Sequence, residues 1–406
     1  MASMVMTGVN RDPISTTGGR IMLLRAVNPS KFCADHEKMT PGCGIECTQR
    51  VGRWCRAATR IGSAVRDTRP PRRLVYKAGC ARRASTVARD GEKTTMGSGV
   101  RRFMEESSRQ LPAGEEIFLD HVGHFAADRG AAGAALAQAG FAPTPPSVQV
   151  NPGPDGTATP TGTGNVTAMF SRGYVEVLFK TADTPLGRQL DTARDRYPGV
   201  HLIAFAVTDA AAHHTRLAAA GMPMQPLVSM QRPVDTADGH DIAAFTVARL
   251  SPGVMPEGRI QMLTHHTEHT VWQPRWLTHP NGVSALLDAV IAVGDTAEAA
   301  ARFSRFLNRP ARDTAAGPAI ALDRGRVQIT TPDTLRALTG IVPPSLPFIG
   351  AYALVVTSLA VLKGTLAQAG LPFVERDGAV TAAFPDALGQ GAWVFVEDPT
   401  ALPWRR

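Results

Sequence analysis

The chain has 406 residues, 44% apolar and 19% charged, enough for two or three globular domains with a sizeable core. Its net charge of +8 gathers at one end: residues 1–95 hold 18 Lys/Arg against 7 Asp/Glu, and the remaining 311 hold 25 against 28. The body gives no electrostatic reason to expect nucleic acid. Its longest apolar run, 349–362, is too short, and too broken by Thr357 and Ser358, to span a membrane.

Residues 1–95 lack a sustained period of 2 or 3.6, and no apolar segment with a cleavage site marks a secretory signal. All five cysteines (Cys33, Cys43, Cys47, Cys55 and Cys80) lie here, so the body fits a reducing cytoplasm. Their spacing, with His36 nearby, matches no regular zinc knuckle. This leader is expected to be a disordered extension, or translation from a start upstream of Met96 or Met104, and to be dispensable.

The body repeats one pattern four times: an apolar strand, a polar residue, an Ala-rich helix, then a break at Gly or Asn. The strands are 119–128, 202–209, 286–295 and 352–358, and the helices follow at 131–143, 213–223, 298–310 and 362–372. Ala and Leu favour the helices. Asp128, Asp209 and Asp295 stand where a cap is needed. Gly140, Gly221 and Gly370 stand where the chain must turn left-handed. Further strands are predicted at 147–151, 166–171 and 174–180 in the first unit and at 226–232, 242–250 and 259–263 in the second. The third unit offers 319–322 and 326–330, and the fourth 373–375, 379–384 and 392–397. The unit is βαβββ, and each copy leaves a sheet face that a partner must cover. The expected fold is α+β, with four units paired into two cupped mixed sheets: a first pair over 115–270 and a second, degenerate pair over 281–400.

This pattern, with LDHVGHFAAD at 119–128, GYVEVL at 173–178 and WQPRWLTHPNG at 272–282, resembles the vicinal-oxygen-chelate superfamily. That superfamily includes glyoxalase I, extradiol dioxygenases and bleomycin-resistance-like binding proteins. Within it the chain is similar to bacterial glyoxalase-like domain proteins over roughly residues 115–400. The resemblance implies metal ligands on the first and last strands of each unit. His121, seven residues before Asp128, and Glu176 match those positions. In the second unit the first-strand position falls on Leu202, so His201 serves only if a bulge turns it inward. The last-strand position holds Gln261, a weak oxygen ligand. The third and fourth units offer Asp288, Gln328, Ala351 and Phe395 and read as structural.

Glu176 also draws notice without the family, because a carboxylate flanked by β-forming apolar residues is costly unless paired, solvated or on a metal. An edge-strand glutamate facing water is the open alternative. His265-x-x-Glu268-His269 spells a zinc-protease pattern, but that chemistry needs a helix, and here a strand precedes it and Pro274 follows. Instead His265 and His266 extend the last strand to the mouth of the cup, where one acts as ligand, substrate contact or general base, or they form a solvated linker. His124 falls on the strand face opposite His121 and reads as structural. Arg232, Arg259 and Arg275 either neutralise an anionic substrate or lie on the surface.

The expected function is a metal-dependent enzyme on a small oxygenated organic substrate, of lyase or isomerase rather than dioxygenase type. A divalent ion (Zn, Mn, Fe or Ni) on His121, Glu176, Gln261 and His201 would stabilise an enolate. Glu176 and His265 are the catalytic candidates. The alternative is a non-catalytic binding or resistance protein with the same cup and no metal. Small-molecule substrate, no nucleic acid and no membrane complete the expectation, with room for a homodimer.

Overall fold

The computed structural model describes residues 109–406, apart from 154 and 156. The leader at 1–95 and its cysteines lie outside the described residues. No helix among those described is long and apolar enough to cross a membrane.

The first unit runs β1 (Ile117–Ala126), α1 (Arg129–Gln138), β2 (Ser147–Pro152), β3 (Ala158–Met169) and β4 (Tyr174–Lys180). A linking helix, α2 (Pro185–Arg196), leads to the second unit: β5 (Gly199–Val207), α3 (Ala210–Ala219), β6 (Val228–Thr236), β7 (Gly239–Arg249) and β8 (Arg259–His265). In each, the first strand pairs in parallel with the last, and the middle two follow antiparallel, giving orders β1-β4-β3-β2 and β5-β8-β7-β6. The two units join twice. β1 lies antiparallel to β5 along most of its length, and β2 meets β6 at Val150 and Gln231. The eight strands therefore close into a ring with no free edge, the usual remedy for an exposed ladder.

A one-turn helix, α4 (Glu268–Val271), precedes the second pair. Its third unit is β9 (Val283–Ala292), α5 (Thr296–Leu307), β10 (Ala311–Thr314), β11 (Gly317–Ala321) and β12 (Arg326–Thr330). α6 (Pro332–Thr339) links it to β13 (Phe348–Val356), α7 (Leu359–Gln368), β14 (Val374–Arg376), β15 (Ala379–Ala383) and β16 (Ala392–Val396). β9 and β13 pair antiparallel, as β1 and β5 do, but the outer strands are short and β10 and β14 do not pair. The paired-unit fold read from the sequence is present.

Local chemistry explains the recurring element. Oδ1 of Asp128, Asp209 and Asp295 accepts backbone N–H groups of the first helical turn at 2.8–3.0 Å. Such a cap is worth about 1 kcal/mol. Asn308, left-handed at φ 52°, ends α5 where the other units use glycine. The hairpin strand β10 and the linking helices α2 and α6 add to the predicted elements. Both linking helices start with Pro after a capping Thr, Thr184 and Thr331.

β1 is buried throughout because both its faces are covered. Phe125 faces the first cup with Leu178, Leu202 and Leu263. Val122 and Ala126 face a larger core that draws on the helices and on both pairs. His124 points the same way: its ring bonds Leu388 O at 2.8 Å and Tyr352 Oη at 2.9 Å, both in the second pair. Burial pushes its pKa down to about 4.

Candidate functional site

Neighbouring residues on a strand normally face opposite sides, yet Asp120 and His121 hydrogen-bond side chain to side chain. The β1–β5 register explains this: Leu119 pairs with Phe205 and His121 with Ala204, which leaves Asp120 as the extra residue of a bulge. Asp120 is fully buried and bridges two imidazoles. His121 Nδ1 donates to Oδ2 at 2.7 Å, and His265 Nε2 donates to Oδ1 at 2.9 Å. Burial alone would raise this carboxyl, but the charge of His265 and the hydrogen bonds from both rings outweigh it and hold its pKa well below the usual range.

With Nδ1 on Asp120, His121 turns Nε2 toward Glu176 Oε2, 3.5 Å away. Tyr174 stacks on the His121 ring at 4.3 Å. Burial, with Asp120 and Glu176 nearby, drives the Tyr174 phenol well above its ordinary pKa. The other oxygen of Glu176 accepts Asn165 Nδ2 at 2.6 Å and Gln149 Nε2 at 3.3 Å. Glu176 is buried rather than at a wet edge. Gly123 is its cross-strand partner on β1, and a Cβ there would press on Leu202 Cβ at 3.0 Å.

His121, Glu176 and Gln261 line one cavity of about 20 Å³, room for a single water or ion. Arg232, Arg249 and Arg259 line it too. Arg249 Nε donates to Gln261 Oε1 at 3.1 Å, and Arg259 lies over the Phe125 ring at 5.2 Å. Among the described residues, no carboxylate lies within 4 Å of these three guanidiniums. Burial lowers the pKa of all three, to about 10 for Arg249 and about 9 for Arg259, where the neighbouring Arg249 charge adds to the effect.

Residues 119–307 match the family described as a glyoxalase-like domain, and they hold the whole of this cavity's lining. Residues 119–307 carry a glyoxalase-like domain, in keeping with the resemblance to the vicinal-oxygen-chelate superfamily. No curated protein matches the sequence. Solved structures similar to the chain include a hypothetical protein from Staphylococcus aureus, with TM-score 0.48, 10% identity, and coverage of 69% of this chain and 98% of that one. A mutant of 4-hydroxymandelate synthase from Streptomyces coelicolor gives 0.43 at 13% identity, covering 71% and 97%. The Mn(II)-bound glyoxalase from Novosphingobium aromaticivorans gives 0.41 at 13%, covering 70% and 82%.

In this glyoxalase-like domain the predicted site residues divide. His121, Glu176 and Gln261 share the inner cavity. His265 does not line it and reaches it only through Asp120 and His121, so direct contact with substrate there is not its place. His201 sits at a second bulge, where Gly123 pairs with Leu202 and His124 with Val200, but the bulge does not turn it into the cup. Its Nε2 donates to Tyr197 O at 2.6 Å, its ring stacks on Tyr197, and it lines a separate pocket of about 550 Å³. Burial pushes its pKa down to about 4, and its buried Nδ1 has no partner. The protease pattern dissolves: His265 ends β8 in the interior, whereas His269 lies exposed on the one-turn α4. In the fourth unit the position corresponding to Glu176 by register is Val394, opposite Ala353; Phe395 faces the other core.

Sequence reasoning missed Asp120 and Arg249. The signal for each was a charged residue inside an apolar run, Phe118–His124 and Phe245–Leu250.

The donors can be tested against a resident divalent ion. Two ligands about 2.0–2.1 Å from one tetrahedral ion lie about 3.4 Å apart, so His121 Nε2 and Glu176 Oε2 have a suitable separation, and Asp120 orients the imidazole as a second carboxylate should. A catalytic zinc-type site takes three protein ligands. The third candidate, Gln261, already accepts from Arg249. No cluster of three or more His, Cys, Asp or Glu suited to a metal occurs among the described residues. Three guanidiniums around the same void oppose a second cationic charge. Donor number and charge agree that these residues do not fit a resident divalent cation.

Proposed function

We propose that the chain is an enzyme of the glyoxalase-like kind that moves a proton on a small oxygenated organic molecule at the first cup, in lyase or isomerase chemistry. One observation carries the reading: a buried His265–Asp120–His121 chain ends 3.5 Å from a buried glutamate, beside a void. Glu176 Oε2 is the oxygen not engaged by Asn165 or Gln149, so it is the base that takes a proton from substrate carbon. His121 Nε2, 3.5 Å from Glu176 Oε2, relays that proton: it accepts it from the glutamic acid, becoming imidazolium, and returns it to a second substrate atom. Asp120 fixes the tautomer of His121 and compensates the charge when its imidazole becomes imidazolium. His265 is a positioning residue acting through Asp120. The guanidiniums of Arg232, Arg249 and Arg259 stabilise the oxyanion that develops as the proton leaves. Chelation by a divalent ion, which the family resemblance implies, is not the reading these side chains support. A body without cysteine suits the reducing cytoplasm, where we place the protein.

A second reading, a non-catalytic binding protein of the same fold, is favoured by the small inner void, which a substrate enters only by moving side chains. Proton NMR in D₂O with small aldehydes, ketones and hydroxyketones separates the two. The enzyme is expected to exchange hydrogen at the carbon next to the carbonyl, and Glu176→Gln to slow that exchange about 10²–10⁴-fold with the circular dichroism unchanged. Binding without exchange establishes the binder. Metal content of the same sample is expected far below one ion per chain. Near one ion, lost in His121→Ala, restores chelation.

A further inference from the structure

The inner cavity and the 550 Å³ pocket share two residues, Arg249 and Arg259, so these guanidiniums form the wall between them. The outer pocket lies between α2 and the β7–β8 connection and has the size of a small-molecule site. Phe125, Leu250, Met255 and Ile260 supply apolar surface. The charges at the wall do not balance. Three guanidiniums, Arg232, Arg249 and Arg259, face two carboxylates, Glu176 and, behind His121, Asp120. One positive charge is left over where Arg232 and Arg249 are buried and Arg259 is half-buried. A buried charge without a partner is costly, and a planar guanidinium is matched by the two oxygens of a carboxylate.

We propose that the outer pocket binds a small organic monocarboxylate, its carboxylate on Arg249 and Arg259 and its apolar body against Phe125, Leu250, Met255 and Ile260. One negative charge completes the balance, whereas a phosphate dianion overshoots it. This goes beyond the functional reading above, since the outer pocket lies across the arginine wall from Glu176, and its binding test does not depend on turnover.

Isothermal titration of the full chain with benzoate, benzamide and inorganic phosphate tests it. Benzoate is expected to bind at least tenfold more tightly than its neutral isostere benzamide, and phosphate more weakly than benzoate. Arg249→Gln and Arg259→Gln are each expected to weaken benzoate at least tenfold. Equal affinity for benzoate and benzamide in the native protein, which needs no variant, overturns the proposal. Unchanged benzoate affinity in both folded variants, or tighter binding of phosphate than of benzoate, does so too. Benzoate selectivity without hydrogen exchange removes only the catalytic reading; exchange without benzoate selectivity removes only this one.

Discussion

The two pairs of units share a strand plan and differ in what fills them. In the first cup, His121 on the first strand and Glu176 on the last face a void beside three guanidiniums. The corresponding register in the second pair places Asp288 opposite Arg326 and Gln328 opposite Val290. There the Asp288 carboxylate and the Gln328 amide nitrogen are engaged from within. Asp288 accepts Trp404 Nε1 at 2.7 Å and Arg405 Nη2 at 2.5 Å, and Gln328 Nε2 donates to the carbonyls of Gly317 and Pro318. Trp404 and Leu402, from the end of the chain, pack with Leu287, Phe348 and Val394 in that cup. A polar position becomes a site only where no segment of the same chain reaches in to satisfy it.

Removing the plug breaks this comparison most severely. Trp404→Ala empties a fully buried site and removes one of the two donors to Asp288 Oδ2, so urea denaturation is expected to show a loss of about 3–5 kcal/mol. Benzoate binding by the folded fraction is expected to persist. Loss of binding in folded protein means the cups are not independent.

Acid probes how each pair leans on the other. His124 titrates near 6.5 when unfolded and near 4 when folded, so the unfolded chain binds the extra proton between those values. Its stabilising contribution is complete above about pH 6.5 and falls as pH drops toward 4, by about 3 kcal/mol. Stability measured across that window is expected to decline, and less steeply in His124→Gln. An identical slope in the variant removes His124 as the cause.

The gentlest change makes the first cup resemble the second. Arg232→Met replaces a buried guanidinium that has no carboxylate within ion-pairing distance, so stability is expected to rise by about 1 kcal/mol in the absence of ligand. A rise of about 2 °C in the melting temperature reads it out. A fall shows that Arg232 has a supporting role in the free protein.

The repeat was legible because its signals are local. A capping aspartate and a left-handed glycine act within a few residues of themselves, so Asp128 and Gly140 announce their helix in any context. His121 and Glu176 were legible through the family pattern, and their shared cavity follows from parallel pairing of β1 with β4. Asp120 was not, because strict alternation sends it away from His121, and a bulge depends on the partner strand. The reverse held at His201, where a bulge exists yet Tyr197 holds the ring outside the cup. Arg249 is silent in the sequence, and Arg259 stands open there between an anion contact and the surface, because nothing nearby reveals that α2 and the β7–β8 connection enclose them. The plug at Trp404 contacts residues over 100 positions earlier, beyond any periodic signal.

β1 carries His121 on one side and His124 on the other, three residues apart. The outer ring is clamped to Tyr352, whose hydroxyl also accepts from Trp393 Nε1 at 2.6 Å. The second pair thus serves as a backstop for the strand that aims the inner imidazole, although it contributes no atom to the cavity. A chain cut after residue 282 would keep every group around the void and lose the anvil behind it, so chemical completeness and mechanical completeness of this half are separate properties.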